Sequence, residues 1–145
     1  MRFMVMVRAD ADTEAGCMPS EDMMAAMGRF NEALVNAGVM KAGEGLHPSS
    51  RGARVVFGAN GTRVLDGPFT ESKELIAGFW LWECGSLKEA IDWARQCPKP
   101  TLGQESVLEI RQIFEAEDFG AEYTPAIREQ EDRLRDQIER GAARG

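Results

Sequence analysis

The stretch Leu65–Glu83, with the sequence LDGPFTESKELIAGFWLWE, joins a tight turn to a strongly apolar run. Its Asp-Gly-Pro triplet predicts a chain reversal, because glycine permits a positive φ and proline fixes its own φ. A polar segment follows, and Leu75–Cys84 then predicts a strand. Apolar residues alternate onto both faces of this strand, with Ile76, Gly78, Trp80 and Trp82 on one and Ala77, Phe79 and Leu81 on the other. Both faces need cover, so the strand is predicted to be central in a sheet.

The chain before this stretch predicts two strands, a helix and a hairpin. Arg2–Arg8 is an apolar run bounded by charges, which is typical of a strand, and Ala9–Pro19 is predicted to be a loop. Ser20 is a suitable N-cap for a helix that ends at Gly38. Val39–Leu46 predicts a second strand, whose glycines indicate a bulge or a close backbone approach. An Asn-Gly turn then predicts a hairpin of two short strands, Arg54–Phe57 and Thr62–Leu65.

The chain after it predicts a helix, a strand and a second, longer helix. A capping box at Ser86–Glu89 starts a helix that is expected to end at Pro98, and Val107–Phe114 predicts a strand. Thr124–Pro125 is a suitable start for the last helix, which is expected to stop at Gly141. Three intrahelical ion pairs are expected in it: Glu129–Arg133, Glu131–Arg135 and Asp136–Arg140.

The predicted order is strand, helix, strand, hairpin, strand, helix, strand, helix. Without the hairpin and the last helix this is βαββαβ, an α+β fold of the ferredoxin-like plan. We predict one domain, with residues 1–116 as the ferredoxin-like part and residues 117–145 as an acidic connector and helix. Two helices cover only one face of such a sheet, so the second apolar face predicts a two-fold homodimer. The last helix is expected to clamp this dimer, and docking of another partner is the alternative.

The composition argues against several classes of protein. The chain has 145 residues, 43% of them apolar and 28% charged, which is typical of one globular domain. Its net charge of −7 argues against nucleic-acid binding, and no apolar run is long enough to span a membrane. Three widely spaced cysteines are typical of reduced thiols in the cytoplasm. One histidine and scattered cysteines do not make a metal site, and no motif predicts a cofactor.

The opening stretch contains a series of residues at a distinctive spacing: Asp66-Gly67-Pro68-Phe69 followed by Glu71, Lys73, Glu74, Gly78 and Phe79. With GEGL at 43–46, EAIDWA at 89–94 and EIR at 109–111, this series resembles the DGPF subgroup of the YCII-related proteins. The resemblance implies a ferredoxin-like subunit of a dimeric α/β-barrel. Genes of this type often accompany extracytoplasmic-function sigma factors, which implies such a factor as a partner. Short members carry a histidine on the first helix, proposed as half of a His–Asp pair, and here that position is Met27.

His47 and Asp66 are the candidate catalytic residues. His47 is the only histidine of the chain, and it follows the second strand, near where the turn at Asp66 can lie in the folded sheet. A histidine–carboxylate pair can act as acid and base near neutral pH. The alternatives are a loop histidine held by a neighbouring carboxylate and an aspartate that caps its own turn.

Five further residues are candidates for binding a small molecule: Glu44, Arg54, Glu71, Lys73 and Trp80. The arginine can hold an anionic group bidentately or can pair with a nearby carboxylate. The charged residues after the turn can close a pocket or form a solvated cluster. The tryptophan can line an aromatic pocket or can lie in the core or the dimer interface.

Two functions stay open. The first is a cofactor-independent enzyme that acts on a small organic molecule, with His47 and Asp66 as its acid/base pair. The second is a non-catalytic dimeric module that binds a ligand or regulates a partner. Met27 in place of the helix histidine favours the second function.

Overall fold

The computed structural model describes residues 1–71, 74–99 and 105–144, and the elements there follow the predicted order. The strands are β1 (Arg2–Arg8), β2 (Met40–Gly45), β3 (Ala53–Gly58), β4 (Gly61–Asp66), β5 (Ile76–Glu83) and β6 (Leu108–Gln112). The helices are α1 (Ala11–Glu14), α2 (Glu21–Asn36), α3 (Leu87–Ala94) and α4 (Pro125–Arg144). β2, β5 and β6 are slightly shorter than predicted, and the two hairpin strands are slightly longer.

Four strands form one sheet in the order β2-β5-β1-β6, and every neighbouring pair is antiparallel. β5 lies between β1 and β2, which are joined through α2, as the split βαβ plan requires. β3 and β4 form a separate two-stranded sheet, which we call the hairpin. The predicted α+β ferredoxin-like fold with an inserted hairpin and an extra C-terminal helix is confirmed.

Helices α2 and α3 contribute to a core on one face of the sheet. The core residues come from β1, β5, both helices and the positions just before β2 and just after β5: Phe3, Val5, Phe30, Leu34, Val39, Trp80, Trp82, Cys84 and Ala90. The ring of Phe30 meets those of Trp80 and Trp82 edge-on, with centroids 5.9 and 6.3 Å apart. Edge-to-face contacts of this kind add to the stabilisation that burial itself provides.

The opposite face of the four-stranded sheet is also apolar. Met4 and Met6 of β1 lie across from Leu81 and Phe79 of β5. All four side chains are only half-buried, and we call this set the open face. The pattern of β5 predicted apolar residues on both of its faces, and the register confirms it.

Gly43 of β2 marks a close backbone approach, as predicted, whereas a Cβ atom on Gly45 would meet nothing within 4 Å. The pairing of β2 with β5 shifts between Met40 and Ala42, which is a β-bulge. A Cβ atom on Gly43 would lie 2.7 Å from Cδ1 of Trp80 and 2.7 Å from Cε of Met40. The indole of Trp80 therefore lies against the backbone of β2, and a side chain at residue 43 would displace it.

The predicted loop Ala9–Pro19 differs from the structure, because it contains α1. Asp10 is the N-cap, and its Oδ1 accepts a 2.8 Å hydrogen bond from the backbone N–H of Thr13. The hydroxyl of Thr13 accepts a 2.8 Å hydrogen bond from the N–H of Asp10 in return. This reciprocal capping stabilises a single turn that buries no residue, so no hydrophobic periodicity signals it.

Helices α3 and α4 end at residues other than those predicted. α3 ends at Ala94, because Pro98 has no N–H to donate to the carbonyl of Ala94 and its ring would clash with that carbonyl in a continued helix. α4 continues through Gly141 to Arg144. A glycine costs a helix only about 1 kcal/mol, and two alanines, which are strong helix formers, follow it.

The chain divides into two compact units, Met1–Ile113 and Phe114–Gly145. In the second unit Thr124 caps α4 as predicted, since its Oγ1 accepts a 3.3 Å hydrogen bond from the N–H of Ile127. The rings of this unit stack in series, with centroids 5.1 Å apart for Phe114 and Phe119 and 4.9 Å apart for Phe119 and Tyr123.

None of the three intrahelical ion pairs predicted for α4 is formed among the described residues of this helix. In the described part of α4, Arg128 instead pairs with Glu117 at 3.9 Å, and Glu131 accepts a 2.6 Å hydrogen bond from the hydroxyl of Tyr123. That hydrogen bond raises the pKa of Tyr123 above its usual value. Exposed ion pairs contribute little to the free energy of folding. The long side chains of a solvent-exposed helix therefore gain little stability from pairing with each other. No helix within residues 1–71, 74–99 and 105–144 is long and apolar enough to cross a membrane.

Candidate functional site

The turn after β4 packs tightly against the loop at Ser49. Gly67 does not have the positive φ that the turn chemistry predicted, and the Gly67–Pro68 peptide bond is cis. The glycine is required for space instead, because a Cβ atom there would overlap the carbonyl oxygen of Ser49. The N–H of Gly67 also donates a 3.0 Å hydrogen bond to the carbonyl of Gly52. The signature turn is thus joined to the chain segment that precedes the hairpin.

A half-buried carboxylate completes this connection. Glu14 Oε1 accepts a 3.0 Å hydrogen bond from the N–H of Ser49, and Oε2 accepts a 2.5 Å hydrogen bond from the Ser49 hydroxyl. The same hydroxyl oxygen accepts a 3.0 Å hydrogen bond from the N–H of Phe69. The guanidinium carbon of Arg54 lies 3.8 Å from the centroid of the Phe69 ring, which is a cation–π contact. These contacts connect α1, the loop and the turn.

His47 and Asp66 have different partners in the structure. His47 is exposed, and Nη1 of Arg51 lies 3.1 Å from its Nε2 and 3.2 Å from its Nδ1. A guanidinium can only donate hydrogen bonds, so it does not supply the carboxylate of the expected pair. Asp66 is exposed at the end of β4, where it pairs with Ala53 in the ladder. Among the described residues no hydrogen bond or ion pair joins His47 to Asp66.

The other predicted site residues lie in different places. Glu44 is exposed on β2 and Glu71 is exposed after the turn, whereas Lys73 lies outside the described residues. Trp80 is only 5% exposed, and its Nε1 donates a 2.9 Å hydrogen bond to Oδ1 of Asn31 on α2. Trp80 therefore packs in the core between β5 and α2.

A cleft of about 590 Å³ lies where α2 and α3 meet the ends of β1 and β6. Its walls are largely apolar, and they are lined by half-buried or exposed side chains from all four elements: Val7, Met23, Met27, Ile91, Leu108 and Ile110. The volume is within the range of small-molecule sites. Met27 is among these lining residues.

Charged side chains of mainly one sign surround the cleft. Arg8, Arg95 and Lys99 line it together with a single carboxylate, Asp10. This is a cationic region on a chain whose net charge is −7. Glu109 pairs with Arg8 at 3.1 Å and offsets part of its positive charge, so Arg95 and Lys99 contribute most of the cationic character of the lining. An anionic group in the cleft would be attracted electrostatically.

The described residues that line the cleft include a thiol but no histidine. Its thiol, Cys97, has a pKa raised by burial to about 11, so it is protonated at neutral pH. Asp10 already accepts the capping hydrogen bond of α1. Within residues 1–71, 74–99 and 105–144, no three side chains of metal-ligating type form a cluster. The arrangement can bind an anion next to an apolar surface.

The sequence prediction did not include the residues of this cleft. Arg8 ends β1, whereas Arg95 and Lys99 follow α3 and are far from Arg8 along the chain. Nothing in their spacing placed them together, because that depends on how α3 packs on the sheet.

Comparison with known families matches residues 1–117 to the model of the YCII-related domain. The chain belongs to the YCII-related family. The predicted family is confirmed, and the match spans the whole ferredoxin-like unit and the start of the segment that follows. An uncharacterised protein of Rhizobium meliloti is 34% identical over 97 residues, which are 66% of this chain and 78% of that protein.

A solved structure to which this YCII-related chain is similar is a 5-chloro-2-hydroxyhydroquinone dehydrochlorinase from Burkholderia phenoliruptrix in complex with 2,5-dihydroxybenzoquinone. It aligns with 82% of this chain and all of its own, at 16% sequence identity and a TM-score of 0.38.

Proposed function

We propose that this YCII-related protein binds a small organic anion with an apolar body in the cleft between α2, α3 and the sheet. The observation that carries the proposal is that Arg8, Arg95 and Lys99 all line one largely apolar cleft, in a chain that is acidic as a whole. A carboxylate or phenolate of the ligand would lie next to these basic side chains. Its ring or alkyl part would lie against the side chains from Met23 and Met27 to Ile110.

Binding without catalysis has more support than the acid/base hypothesis. The cleft holds no histidine, its thiol is protonated, and its one carboxylate is used in capping. The pair of His47 and Asp66 receives no support from the described contacts, since His47 contacts Arg51. That pair stays a prediction, as does membership of the DGPF subgroup.

We further propose that the protein is a homodimer in which the open faces of two copies meet. The half-buried side chains of Met4, Met6, Phe79 and Leu81 are the support for this arrangement. Apolar faces of this kind are usually covered by another molecule. A dimeric α/β-barrel, a clamp by α4 and an extracytoplasmic-function sigma factor as partner stay predictions from sequence and resemblance, and so does a cytoplasmic location.

Calorimetric titration with matched small molecules tests the ligand class. We expect 2-naphthoate to bind. Neutral 2-naphthamide and cationic 2-naphthylmethylamine should bind at least tenfold more weakly, because only the anion is attracted by the basic side chains that line the cleft. Arg95→Ala should weaken naphthoate binding by a similar factor.

Arg29→Ala is the matched control, because it removes the same charge as Arg95→Ala. Arg29 is exposed on α2 and is not among the residues that line the cleft. Equal binding of the anion and the amide would contradict the proposal. Equal effects of Arg95→Ala and Arg29→Ala would also contradict it, because the change would then reflect net charge alone.

A further inference from the structure

A second cavity, of about 490 Å³, adjoins the cleft. Arg8, Asp10 and Ser106 line both cavities, so the two spaces meet at these residues. The backbone is held in place there, because the N–H of Arg8 donates a 3.0 Å hydrogen bond to the carbonyl of Val107. A ligand in the cleft therefore lies next to this second space, which we call the side cavity. Its other described lining residues belong to the same two chain segments: Ala9, Ala11, Glu105 and Val107.

The two cavities differ in the sign of the charges that line them. Among its described residues, the side cavity has two carboxylates, those of Asp10 and Glu105, and one basic side chain, Arg8. Glu109 pairs with Arg8 at 3.1 Å, so the charge of this arginine is already partly offset. The cleft, in contrast, is lined by three basic side chains and a single carboxylate. A cationic group is therefore favoured in the side cavity, and an anionic group in the cleft.

Asp10, at the border of the two cavities, has a defined orientation. Its Oδ1 accepts a 2.8 Å hydrogen bond from the N–H of Thr13, and the hydroxyl of Thr13 accepts one of 2.8 Å from the N–H of Asp10. A carboxylate can accept about four hydrogen bonds, so this cap leaves capacity for a donor from a ligand. Because the side chain is already ordered, binding a ligand costs it little conformational entropy.

We infer that the ligand of the cleft is a zwitterion, an α-amino acid with a large apolar side chain. The inference rests on the proposed function and adds a second polar group to its ligand. The carboxylate would lie next to the basic side chains of the cleft, and the ammonium group would lie in the side cavity near Asp10 and Glu105. Because Arg8 and Asp10 line both cavities, the two charged groups can be attached to one carbon atom. The apolar side chain would then lie against the largely apolar walls of the cleft.

Calorimetric titration with three compounds that share one carbon skeleton tests for the ammonium group. The compound 3-(2-naphthyl)propanoate supplies the carboxylate and the apolar body. The amino acid 2-naphthylalanine adds an ammonium group next to the carboxylate, and 3-(2-naphthyl)lactate adds a neutral hydroxyl at the same carbon atom. We expect the amino acid to bind about fivefold more tightly than either of the others, because only its added group is cationic.

Variants of the two carboxylates locate the ammonium group. Asp10→Asn removes the charge but keeps the cap of α1, because asparagine is as good an N-cap as aspartate. In this variant and in Glu105→Gln, the preference for the amino acid over the propanoate should fall to about twofold or less. Asp22→Asn is the matched control, because it removes the same charge from an exposed residue that is not among those lining either cavity. This control should keep the full preference.

The outcomes separate this inference from the proposed function. A propanoate that binds as tightly as the amino acid would overturn the inference and leave the proposed anion site standing. A lactate that binds as tightly as the amino acid would also overturn it, because a hydrogen bond rather than charge would then explain the preference. A preference that neither Asp10→Asn nor Glu105→Gln reduces would overturn the assignment to the side cavity. If none of the three carboxylates bound, the proposed function itself would fail.

Discussion

Glu14 binds Ser49 through both oxygens of its carboxylate, at 3.0 Å to the backbone N–H and 2.5 Å to the hydroxyl. The two residues are 35 positions apart, and Glu14 ends a helix of only four residues. Ser49 in turn contacts the signature turn at Gly67 and Phe69. Two distant parts of the chain, α1 and the signature turn, thus converge on one serine.

Ser49→Ala is expected to destabilise the protein by about 1–3 kcal/mol, because it removes one hydrogen bond to a half-buried carboxylate and leaves the N–H of Phe69 without its acceptor. Urea denaturation measures the loss. In a double-mutant cycle, Glu14→Gln and Ser49→Ala should show a coupling free energy of about 1 kcal/mol or more. Strictly additive effects would mean that the short hydrogen bond contributes nothing to stability.

Gly67→Ala is expected to destabilise the fold by about 2 kcal/mol or more, since the added methyl group must displace the carbonyl of Ser49. Gly28→Ala is the matched control. Gly28 lies within α2, and a Cβ atom there meets nothing within 4 Å. This control should stabilise the helix by about 1 kcal/mol. Thermal denaturation of both variants measures the difference, and a Gly67→Ala protein as stable as the original would show that the turn can shift freely.

Asn31→Ala is expected to cost about 1–3 kcal/mol, because Nε1 of the buried Trp80 loses its acceptor. Intrinsic tryptophan fluorescence monitors both unfolding and the surroundings of the indole. Asn36→Ala removes an exposed asparagine from the same helix and should change neither. If the two variants were equally stable, the hydrogen bond from Trp80 would contribute nothing to the free energy of unfolding.

Cys97 is expected to make stability fall at alkaline pH. Burial raises its pKa from 9.0 to about 11 in the folded chain. Below pH 9 the thiol is protonated in both the folded and the unfolded chain, so it does not change the free energy of unfolding with pH. Between pH 9 and about 11 the unfolded chain ionises first, so the free energy of unfolding decreases as the pH rises.

Denaturation of the Cys97→Ala protein across this pH range provides the comparison, since it should lose less stability on going from pH 8 to pH 10.5. Burial also raises the pKa of Cys84, and Cys17 is exposed. Thiol labelling of the folded protein at pH 8 should therefore modify Cys17 before the other two. Labelling of Cys97 as fast as Cys17 would show that it is not buried in solution.

Local patterns were enough to predict most of the fold. The apolar run of β5, the caps at Ser20 and Ser86 and the Asn-Gly turn each act within a few residues of the chain, so they can be interpreted without knowing the tertiary structure. Prediction failed for α1, whose only signal is a capping pair between Asp10 and Thr13. It also failed at the end of α4, where a glycine does not stop the helix.

The sequence by itself determined the family, the order of the elements and the two apolar faces of β5, because these depend on spacing and local chemistry. Only the tertiary structure decided that Gly67 serves close packing rather than a positive φ, and that His47 contacts Arg51. It also decided that Arg8, Arg95 and Lys99 surround one cleft. Contacts between residues that are far apart along the chain depend on how the helices pack on the sheet. The spacing of residues in the sequence does not determine these contacts.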